Sequence, residues 1–294
     1  MTSPNLFIGV AGSCPEWTDL LATDTTPVES SEVAALSRLF DLIEITSSYY
    51  HPLNAKTAQH WLVQTQDNKR LLFIVRVWQK LVHEQSSSWK TDVETVKRGL
   101  LPLQKSRRLG ALVLPFPLSF RLTHYNEEWL WRLLDAFTGF PLVVEVPHTS
   151  WQQSALLPRL PALGVAVAAV DQPQPGEKST PGAGECIHRA YLRLNGRQPK
   201  WLERTATRDE RFDYFYHAEE ISSLAAAVRH ATNRAESCYV VFHNYPRGQA
   251  FANALQLQSV LTEKKIRVPE NLRRRFPTLE TIAAGPHPDQ LEMF

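Results

Sequence analysis

The heptapeptide Leu142-Val143-Val144-Glu145-Val146-Pro147-His148 contains the pattern from which the fold can be argued, an apolar run that ends in a carboxylate. Near-continuous Val and Leu predict a parallel strand that is buried on both faces. A carboxylate is costly to bury without a partner, so Glu145 is expected to face a ligand or an ion-pair partner at the end of its strand. The same pattern, an apolar strand followed by a polar residue, recurs along the whole chain.

Eight such apolar runs alternate with amphipathic segments. The predicted strands are Leu6–Ala11, Leu42–Thr46, Leu71–Val77, Ala111–Phe116, Leu142–Val146, Val165–Val170, Ala190–Leu194 and Cys238–His243. The predicted helices are Ser31–Phe40, Ala55–Gln64, Thr91–Leu100, Glu127–Ala136, Glu219–Ala231 and Gly248–Leu261. Ser30 or Ser31 is expected to cap the first helix and Asn126 the fourth.

This alternation predicts an α/β fold, namely a TIM-type (β/α)8-like barrel in a single domain, which typically needs about 250 residues. A doubly wound open sheet is the alternative, because strand order cannot be deduced from one sequence. Gly9-Val10-Ala11-Gly12 after the first strand is too short for a dinucleotide fingerprint, which weakens that alternative. We expect residues 1–262 to form the barrel and residues 263–294 to form a basic, proline-containing extension that packs on it or trails from it.

Composition limits the classes of protein that fit. At 294 residues and 43% hydrophobic, the chain can bury a large core. Its formal charge of +2 gives no global polycationic signal for nucleic acid. Cys14, Cys186 and Cys238 are odd in number and lack Cys-x-x-Cys spacing, which predicts reduced thiols in a cytoplasmic protein. No apolar stretch approaches the roughly 20 residues of a membrane span.

Six motifs in the same order make the chain resemble a known family over nearly its full length. They are Ile8-Gly-Val-Ala-Gly-Ser13 with Glu16-Trp17, Ile43-Glu-Ile-Thr-Ser-Ser-Tyr-Tyr50, Leu109-Gly-Ala-Leu-Val-Leu-Pro-Phe-Pro117, Val144-Glu-Val-Pro-His148 with Ser150-Trp151, Tyr191-Leu-Arg-Leu-Asn-Gly-Arg197, and Val241-Phe-His-Asn244 followed by Ala250 and Asn253-Ala254. With these motifs the chain resembles the YecE-like family, domain of unknown function 72. The resemblance implies a TIM-type barrel, distantly like metal-dependent sugar isomerases and apurinic endonucleases, and it implies no established activity.

The chain departs from the family pattern at several strand ends. It has Asn195 where the family usually has His, Pro147 where the family often has Arg, and His243 where the family has the first Asn of a pair. Val82-His83 replaces a Thr-His pair, and Ser13-Cys14-Pro15 lacks the family's aromatic residue. These differences imply a divergent or substrate-shifted paralogue.

In a barrel of this type, the carboxyl ends of the strands form the functional face. The candidate catalytic residues at these ends are Glu44, Glu145 and Asp171. The candidate ligand-binding residues are Tyr49, Tyr50, Arg76, His83, His148, Trp151, Arg193, Asn195, His243 and Asn244. Alternation along a strand allows Arg193 and Asn195 to face one side and prevents His243 and Asn244 from doing so. The structural alternative is that Glu44 or Glu145 pairs with Arg76 or Arg193 inside the barrel.

Three chemistries fit these residue types. Glu145, Asp171 and one of His83, His148 or His243 would suit a divalent metal such as Mn²⁺, Zn²⁺ or Mg²⁺, although no tight ligand spacing such as HExxH occurs. Two carboxylates without a metal can act as acid and base when their environments separate their pKa values. The sequence therefore leaves open whether these residues bind a divalent metal or act as an acid–base pair without one.

The third chemistry is binding of an anion or a nucleotide. Arginines and lysines follow several strands with aromatic residues between them, which suits phosphates and stacked rings. They are Arg76, Lys80, Arg121, Arg193, Arg197, Lys200, Arg204 and Arg247, joined by His124, with Trp17, Tyr49, Tyr50, Trp78, Trp89, Trp151, Trp201 and Tyr245 between them. The leading expectation is a pocket for a phosphorylated, sugar or nucleotide-like ligand, with a hydrolase or an isomerase as its activity. The alternative is a non-catalytic nucleic-acid-binding protein.

Two further segments have distinctive composition. Residues 172–185 are rich in Pro and Gly and follow Asp171, so they are either a lid over the site or a variable surface loop. The tail contains Lys264-Lys265, Arg267 and Arg273-Arg-Arg275, a basic cluster that would contact nucleic acid or simply be solvated. Its interspersed prolines predict an extended strap along the barrel.

Overall fold

The protein, in a computed structural model, is described over residues 5–11, 16–21, 31–173 and 188–284. Its strands are β1 Leu6–Ala11, β2 Leu42–Ile45, β3 Leu72–Arg76, β4 Leu109–Pro115, β5 Leu142–Glu145, β6 Ala166–Val167, β7 Ala169–Asp171, β8 Ala190–Leu194 and β9 Cys238–Phe242. Its α-helices are α1 Trp17–Leu21, α2 Glu32–Ser37, α3 Ala55–Gln64, α4 Gln79–Val82, α5 Trp89–Lys105, α6 His124–Ala136, α7 Arg208–Phe212, α8 Ala218–Arg234, α9 Gln249–Thr262 and α10 Glu270–Arg275.

The strands form one parallel sheet that closes on itself. The hydrogen-bonded order is β6-β5-β4-β3-β2-β1-β9-β8-β7. Its two ends, β6 and β7, are consecutive pieces of chain separated by Ala168 alone, so they are halves of one strand position. One half pairs with β5 and the other with β8, which completes the circle. The predicted α/β barrel is therefore confirmed, and the doubly wound alternative is wrong.

Alternating residues divide the apolar side chains into two layers. Leu42, Ile74, Val143, Tyr191 and Val241 belong to one buried cluster, which fills the barrel interior. Their strand neighbours, such as Ile43 and Val144, belong to a second and larger cluster that packs against the surrounding helices. This arrangement follows from the period of two along a strand, because a parallel barrel is apolar on both faces.

The helix boundaries differ from the predicted ones at several ends. The fourth predicted helix, α6, begins at His124 and is capped by Thr123, whose hydroxyl accepts from the backbone N–H of Asn126 at 3.2 Å. The predicted cap at Asn126 is therefore wrong, because a hydroxyl three residues earlier satisfies the free N–H groups. Ser31 does occupy the N-cap of α2, but its hydroxyl donates to Gln64 Oε1.

The described part of the tail packs on the outside of the barrel. Residues 263–284 include α10, and the side chains of Leu272 and Leu279 are fully buried. The Asn271 amide donates to Asp19 O at 2.7 Å, which ties the tail to α1. The prolines therefore do not keep the whole segment extended, since Glu270–Arg275 is helical.

Within the described ranges, no helix is both long enough and apolar enough to cross a membrane.

Candidate functional site

Five charged or polar side chains point into the carboxyl end of the barrel. Each lies two residues after an interior residue of its strand, so it faces the same side. Glu44 follows Leu42, Arg76 follows Ile74, Glu145 follows Val143, Arg193 follows Tyr191 and His243 follows Val241. Strand geometry thus gathers residues from β2, β3, β5, β8 and the end of β9 into one layer above the apolar interior.

Arg193 is the centre of this layer. Its Nη1 donates to Glu145 Oε2 at 2.7 Å, and its Nη2 lies 3.5 Å from Glu44 Oε1. The same Nη2 is 2.8 Å from Nδ1 of His243. Because β8 borders neither β2 nor β5 in the sheet, the contacts of Arg193 with Glu44 and Glu145 cross the barrel interior, whereas His243 follows the neighbouring strand β9. The structural alternative of an internal ion pair is therefore confirmed, with Arg193 as the arginine.

Glu44 is held more deeply than Glu145. The Glu44 side chain has no exposed surface, whereas that of Glu145 is 14% exposed. Tyr191 donates its hydroxyl hydrogen to Glu44 Oε2. Burial, followed by the charge of Glu44, raises the pKa of Tyr191 well above its ordinary value, so this hydroxyl stays protonated. Glu44 therefore contacts Arg193 from the buried side of the layer, and Glu145 contacts it from the side nearer to solvent.

Arg76 faces the same interior, but its guanidinium is less fully hydrogen-bonded than that of Arg193. Its Nε is buried without a hydrogen-bond partner in the described structure. The guanidinium carbon lies 5.2 Å from the centre of the Tyr49 ring, in a cation–π arrangement. Burial first, and then repulsion from Arg193, lowers the pKa of Arg76. A negative ligand group would relieve that repulsion.

His243 is neutral and faces Arg193. Burial lowers its pKa well below the ordinary 6.5, and the positive charges of Arg193, Arg76 and Arg208 lower it further. Its ring centre is 4.4 Å from that of Phe212, a residue of the short helix α7. The imidazole is therefore enclosed between the barrel interior and α7.

Buried polar atoms without a partner are concentrated at these strand ends. Asn195, which shares the parity of Arg193, donates from Nδ2 to Gln172 Oε1 at 2.8 Å. Its own Oδ1 lacks a partner among the described residues. Within the described residues, Glu44 Oε1, Arg76 Nε, Arg193 Nε and His243 Nε2 likewise have no hydrogen-bond partner, and neither has Asn244 Oδ1 on the helix side of β9. Most buried polar atoms in folded proteins are hydrogen-bonded, so this cluster indicates a ligand or water site.

Asp171, the third candidate carboxylate, lies elsewhere. It follows Ala169, which packs in the helix-side layer, so its side chain faces away from the barrel interior. Its carboxylate accepts from Arg197 Nε at 3.0 Å and from the Tyr216 hydroxyl at 2.9 Å. Asp171 therefore fixes the segment after β8, and the structure does not bring it together with Glu44 and Glu145.

Asn244 also faces the helix side, as alternation requires for a neighbour of His243. Its amide donates to Tyr214 O and to Asn253 Oδ1, both at 2.8 Å. Asn253 in turn donates to Tyr216 O at 2.9 Å. These contacts join the segment before α8 to helix α9, which is a structural role.

The other candidates after β3 and β5 lie outside the central layer. Trp151 is buried, donates from Nε1 to Phe120 O at 2.7 Å and stacks on the Phe120 ring. His148 caps the turn that follows β5, where its Nδ1 accepts from the Ser150 N–H at 3.1 Å. His83 is exposed at the end of α4.

Tyr49 and Tyr50 stand at the edge of the site on the turn after β2. Their rings meet edge to face at 5.3 Å, and Tyr50 is 46% exposed. Trp78 donates from Nε1 to Tyr50 O at 3.0 Å, which fixes a third aromatic ring beside them. This group provides an aromatic border to the charged interior.

The predicted metal ligands do not meet. Asp171 faces the helices, His148 and His83 lie on separate turns, and Glu145 is paired with Arg193. In the part of the chain that the structure covers, no three His, Cys, Asp or Glu side chains are grouped to hold a metal ion. The described residues therefore do not fit the carboxylate-and-imidazole site.

Several basic residues of the loops are paired with acidic ones. Arg197 contacts Asp171, Lys200 contacts Glu210 at 2.6 Å, and Arg247 contacts Asp213. Such pairing lowers the positive potential that nucleic-acid phosphates would meet.

Two residues beyond the predicted candidates contact the site or act on it, Tyr191 and Arg208. Tyr191 binds Glu44, and its signal was its parity with Arg193 on the same strand. Arg208 on α7 acts on His243 electrostatically, and no local pattern of the sequence indicates that contact. Most of the proposed lid, 174–185, lies outside the described residues.

Comparison with known families places these observations in context. A profile described as "Protein of unknown function DUF72" matches residues 7–277. The chain is 23% identical over 272 residues to "UPF0759 protein YunF" of Bacillus subtilis (strain 168), covering 87% of this chain and 94% of that protein.

Solved structures agree with the fold. A DUF72 family protein from Enterococcus faecalis V583 is similar with a TM-score of 0.77 and 24% identity, covering 87% of this chain and 95% of that one. A DUF72 family protein from Thermotoga maritima MSB8 is similar with a TM-score of 0.73 and 25% identity, covering 87% and 99%. The barrel architecture is thus shared along almost the full length of these relatives.

Proposed function

Because the chain belongs to the DUF72 family of proteins of unknown function, we propose its function from the geometry of its own strand ends. The protein is an enzyme that binds a small phosphorylated, sugar or nucleotide-like substrate at the carboxyl end of the barrel. It acts as a hydrolase or an isomerase, with Glu145 as the group that transfers a proton.

One observation carries this proposal: the interior end of the barrel has a cluster of buried polar atoms without partners. Glu44 Oε1, Arg76 Nε, Arg193 Nε, Asn195 Oδ1 and His243 Nε2 come from the ends of four strands, and none has a hydrogen-bond partner in the described structure. A cluster kept only for stability would satisfy its members, since each unmet group costs about 1–3 kcal/mol. A bound ligand would supply the missing partners.

The charges of the layer suit a polar ligand with an anionic group. Arg76 and Arg193 oppose Glu44 and Glu145, so the formal charge of these four groups cancels. Arg193 contacts both carboxylates, whereas Arg76 lies against the Tyr49 ring. Arg76 is therefore the cation that is more available to a ligand. A phosphate or carboxylate of the substrate would bind near Arg76, while hydroxyl groups would meet Glu145 and Asn195.

The two glutamates would have different roles. Glu44, fully buried and bonded to Tyr191 and Arg193, would hold the arginine in place. Glu145 contacts Arg193 through Oε2 and retains partial exposure, so it can approach a substrate. A positioned carboxylate that exchanges a proton with a substrate hydroxyl or water typically contributes about 10²–10⁴-fold to the rate.

The test is a binding screen with matched variants. Sugars, sugar phosphates and nucleotides are titrated by calorimetry into wild-type protein, Glu145→Gln and the control Glu94→Gln, whose glutamate is exposed on α5. We expect one of these classes to bind wild type and Glu94→Gln alike and to lose affinity or turnover with Glu145→Gln. Equal binding and turnover in all three proteins would contradict the role of Glu145. A panel without any binder would contradict the proposed substrate classes.

A further inference from the structure

The orientation of the His243 ring fixes the nitrogen that holds its proton. Nδ1 lies 2.8 Å from Arg193 Nη2. A guanidinium has only donors, so Nδ1 must accept and has no proton of its own. Burial together with Arg193, Arg76 and Arg208 holds the pKa of His243 well below 6.5, so the ring is neutral near pH 7. The single proton of the ring is therefore on Nε2.

This Nε2–H is a buried donor that lacks an acceptor. His243 is 1% exposed, and Nε2 has no hydrogen-bond partner in the residues that the structure describes. Its ring neighbours are Phe212 at 4.4 Å and Tyr245 at 6.0 Å between ring centres. The charged groups that act on it are guanidinium groups from three elements, Arg193 on β8, Arg76 on β3 and Arg208 on α7. The donor thus lies in a positive environment.

We propose that His243 determines ligand specificity: its Nε2–H donates to a negatively charged oxygen of the ligand, a phosphoryl or carboxylate oxygen. The inference rests on the proposed function and names the group that the substrate must have. An oxygen with negative charge both fills the missing acceptor and balances the surrounding guanidinium groups. Arg193 is then a positioning residue. Its Nη2 donates to Nδ1 of His243, which leaves the ring proton on Nε2, and this Nη2 does not itself contact the ligand.

Nuclear magnetic resonance of the ring nitrogens tests this directly. Long-range ¹H–¹⁵N spectra are recorded on full-length wild-type protein, and the His243 signals among the ten histidines are identified by their loss in His243→Asn. We expect the neutral tautomer with its proton on Nε2 in the free protein at about pH 7. A ring that is protonated on both nitrogens, or on Nδ1 alone, would overturn the inference.

Inorganic phosphate and acetate are then titrated separately as probes for the two sources of a charged oxygen. We expect a saturable shift of the Nε2 signals with one of them, and that anion identifies the source. His243→Leu should weaken its binding at least about tenfold, His243→Asn should weaken it less because an amide donor remains, and exposed His83→Leu should have no effect. If neither anion moves the Nε2 signals, the inference is overturned.

Two further outcomes separate this inference from its alternatives. If Nε2–H instead donates to the face of the Phe212 ring, Phe212→Leu will shift the signal and the anions will not, which also overturns it. A neutral sugar that binds in a Glu145-dependent manner while both anions fail would leave the proposed function standing and refute only the role of His243.

Discussion

Arg193 Nη1 lies 2.7 Å from Glu145 Oε2 across the interior of the barrel, and this contact joins two strands that are not neighbours in the sheet. The same guanidinium also reaches Glu44 and His243. One buried side chain therefore joins three of the other four members of the layer. Ion pairs of this kind stabilise a fold weakly against apolar replacement, but the loss of one partner is expensive.

The two glutamates should separate stability from function. Glu44→Gln removes a fully buried charge that is bound to Arg193 and Tyr191, so we expect the free energy of unfolding to fall by about 3 kcal/mol. Glu145 is partly exposed, so Glu145→Gln should cost about 1 kcal/mol and act mainly on ligand binding. Urea unfolding of both variants measures the difference. An equal loss of stability would contradict the separate roles.

Stability should depend on pH through His243. Its pKa in the folded protein is well below 6.5, and in the unfolded chain it is near that value. Between the two values only the unfolded chain binds the proton, so the free energy of unfolding falls as the pH falls through about 6.5, by up to about 1.4 kcal/mol per pH unit. Urea unfolding at several pH values measures this slope, with His243→Asn as reference. Parallel curves for the two proteins would refute the effect.

Asp171 should behave as a structural residue. Asp171→Asn removes the buried charge that pairs with the partly exposed Arg197, which keeps Glu220 as a partner, so we expect a loss of about 2 kcal/mol in unfolding free energy. Ligand affinity per folded molecule should remain at the wild-type level, because the side chain faces the helices. Calorimetry below the melting transition checks this. A folded variant that has lost the ligand would place Asp171 in the site.

Cys238 should be unreactive in the native protein. Burial raises the pKa of its thiol from 9.0 to about 11, which leaves little thiolate near neutral pH. In a Cys14→Ser, Cys186→Ser background, labelling by a thiol reagent should proceed only at the rate of unfolding. The rate with increasing urea tests this, and rapid labelling without denaturant would show that β9 opens locally.

The strands were predictable from periodicity, and so was part of the site. β1 and β8 have the predicted bounds, and the predicted strand Val165–Val170 covers β6 and all of β7 except Asp171. Alternation also predicts that Glu44, Arg76, Glu145 and Arg193 each share a face with the residue two positions earlier, and the structure shows that this face is the barrel interior. By the same alternation Asp171 shares a face with Ala169, but only the structure shows that this face is turned toward the helices.

One short helix and one helix cap could not be predicted correctly from the local sequence. Helix α7 was not expected, because its five residues are too few for a periodic pattern. As a result, the proximity of Phe212 and Arg208 to His243 could not be inferred. The cap of α6 was assigned to Asn126 instead of Thr123, since both residue types favour that position.

The sequence by itself determined which residues form strands and which residues of a strand share a face, because alternation is a property of the local backbone. Only the tertiary structure decided that the sheet closes between β6 and β7, and that Arg193, not Arg76, binds both glutamates. It also decided that Nδ1 of the buried His243 lies beside Arg193. These properties depend on distances across the barrel and on burial, which arise only when strands that are far apart in the chain are brought together.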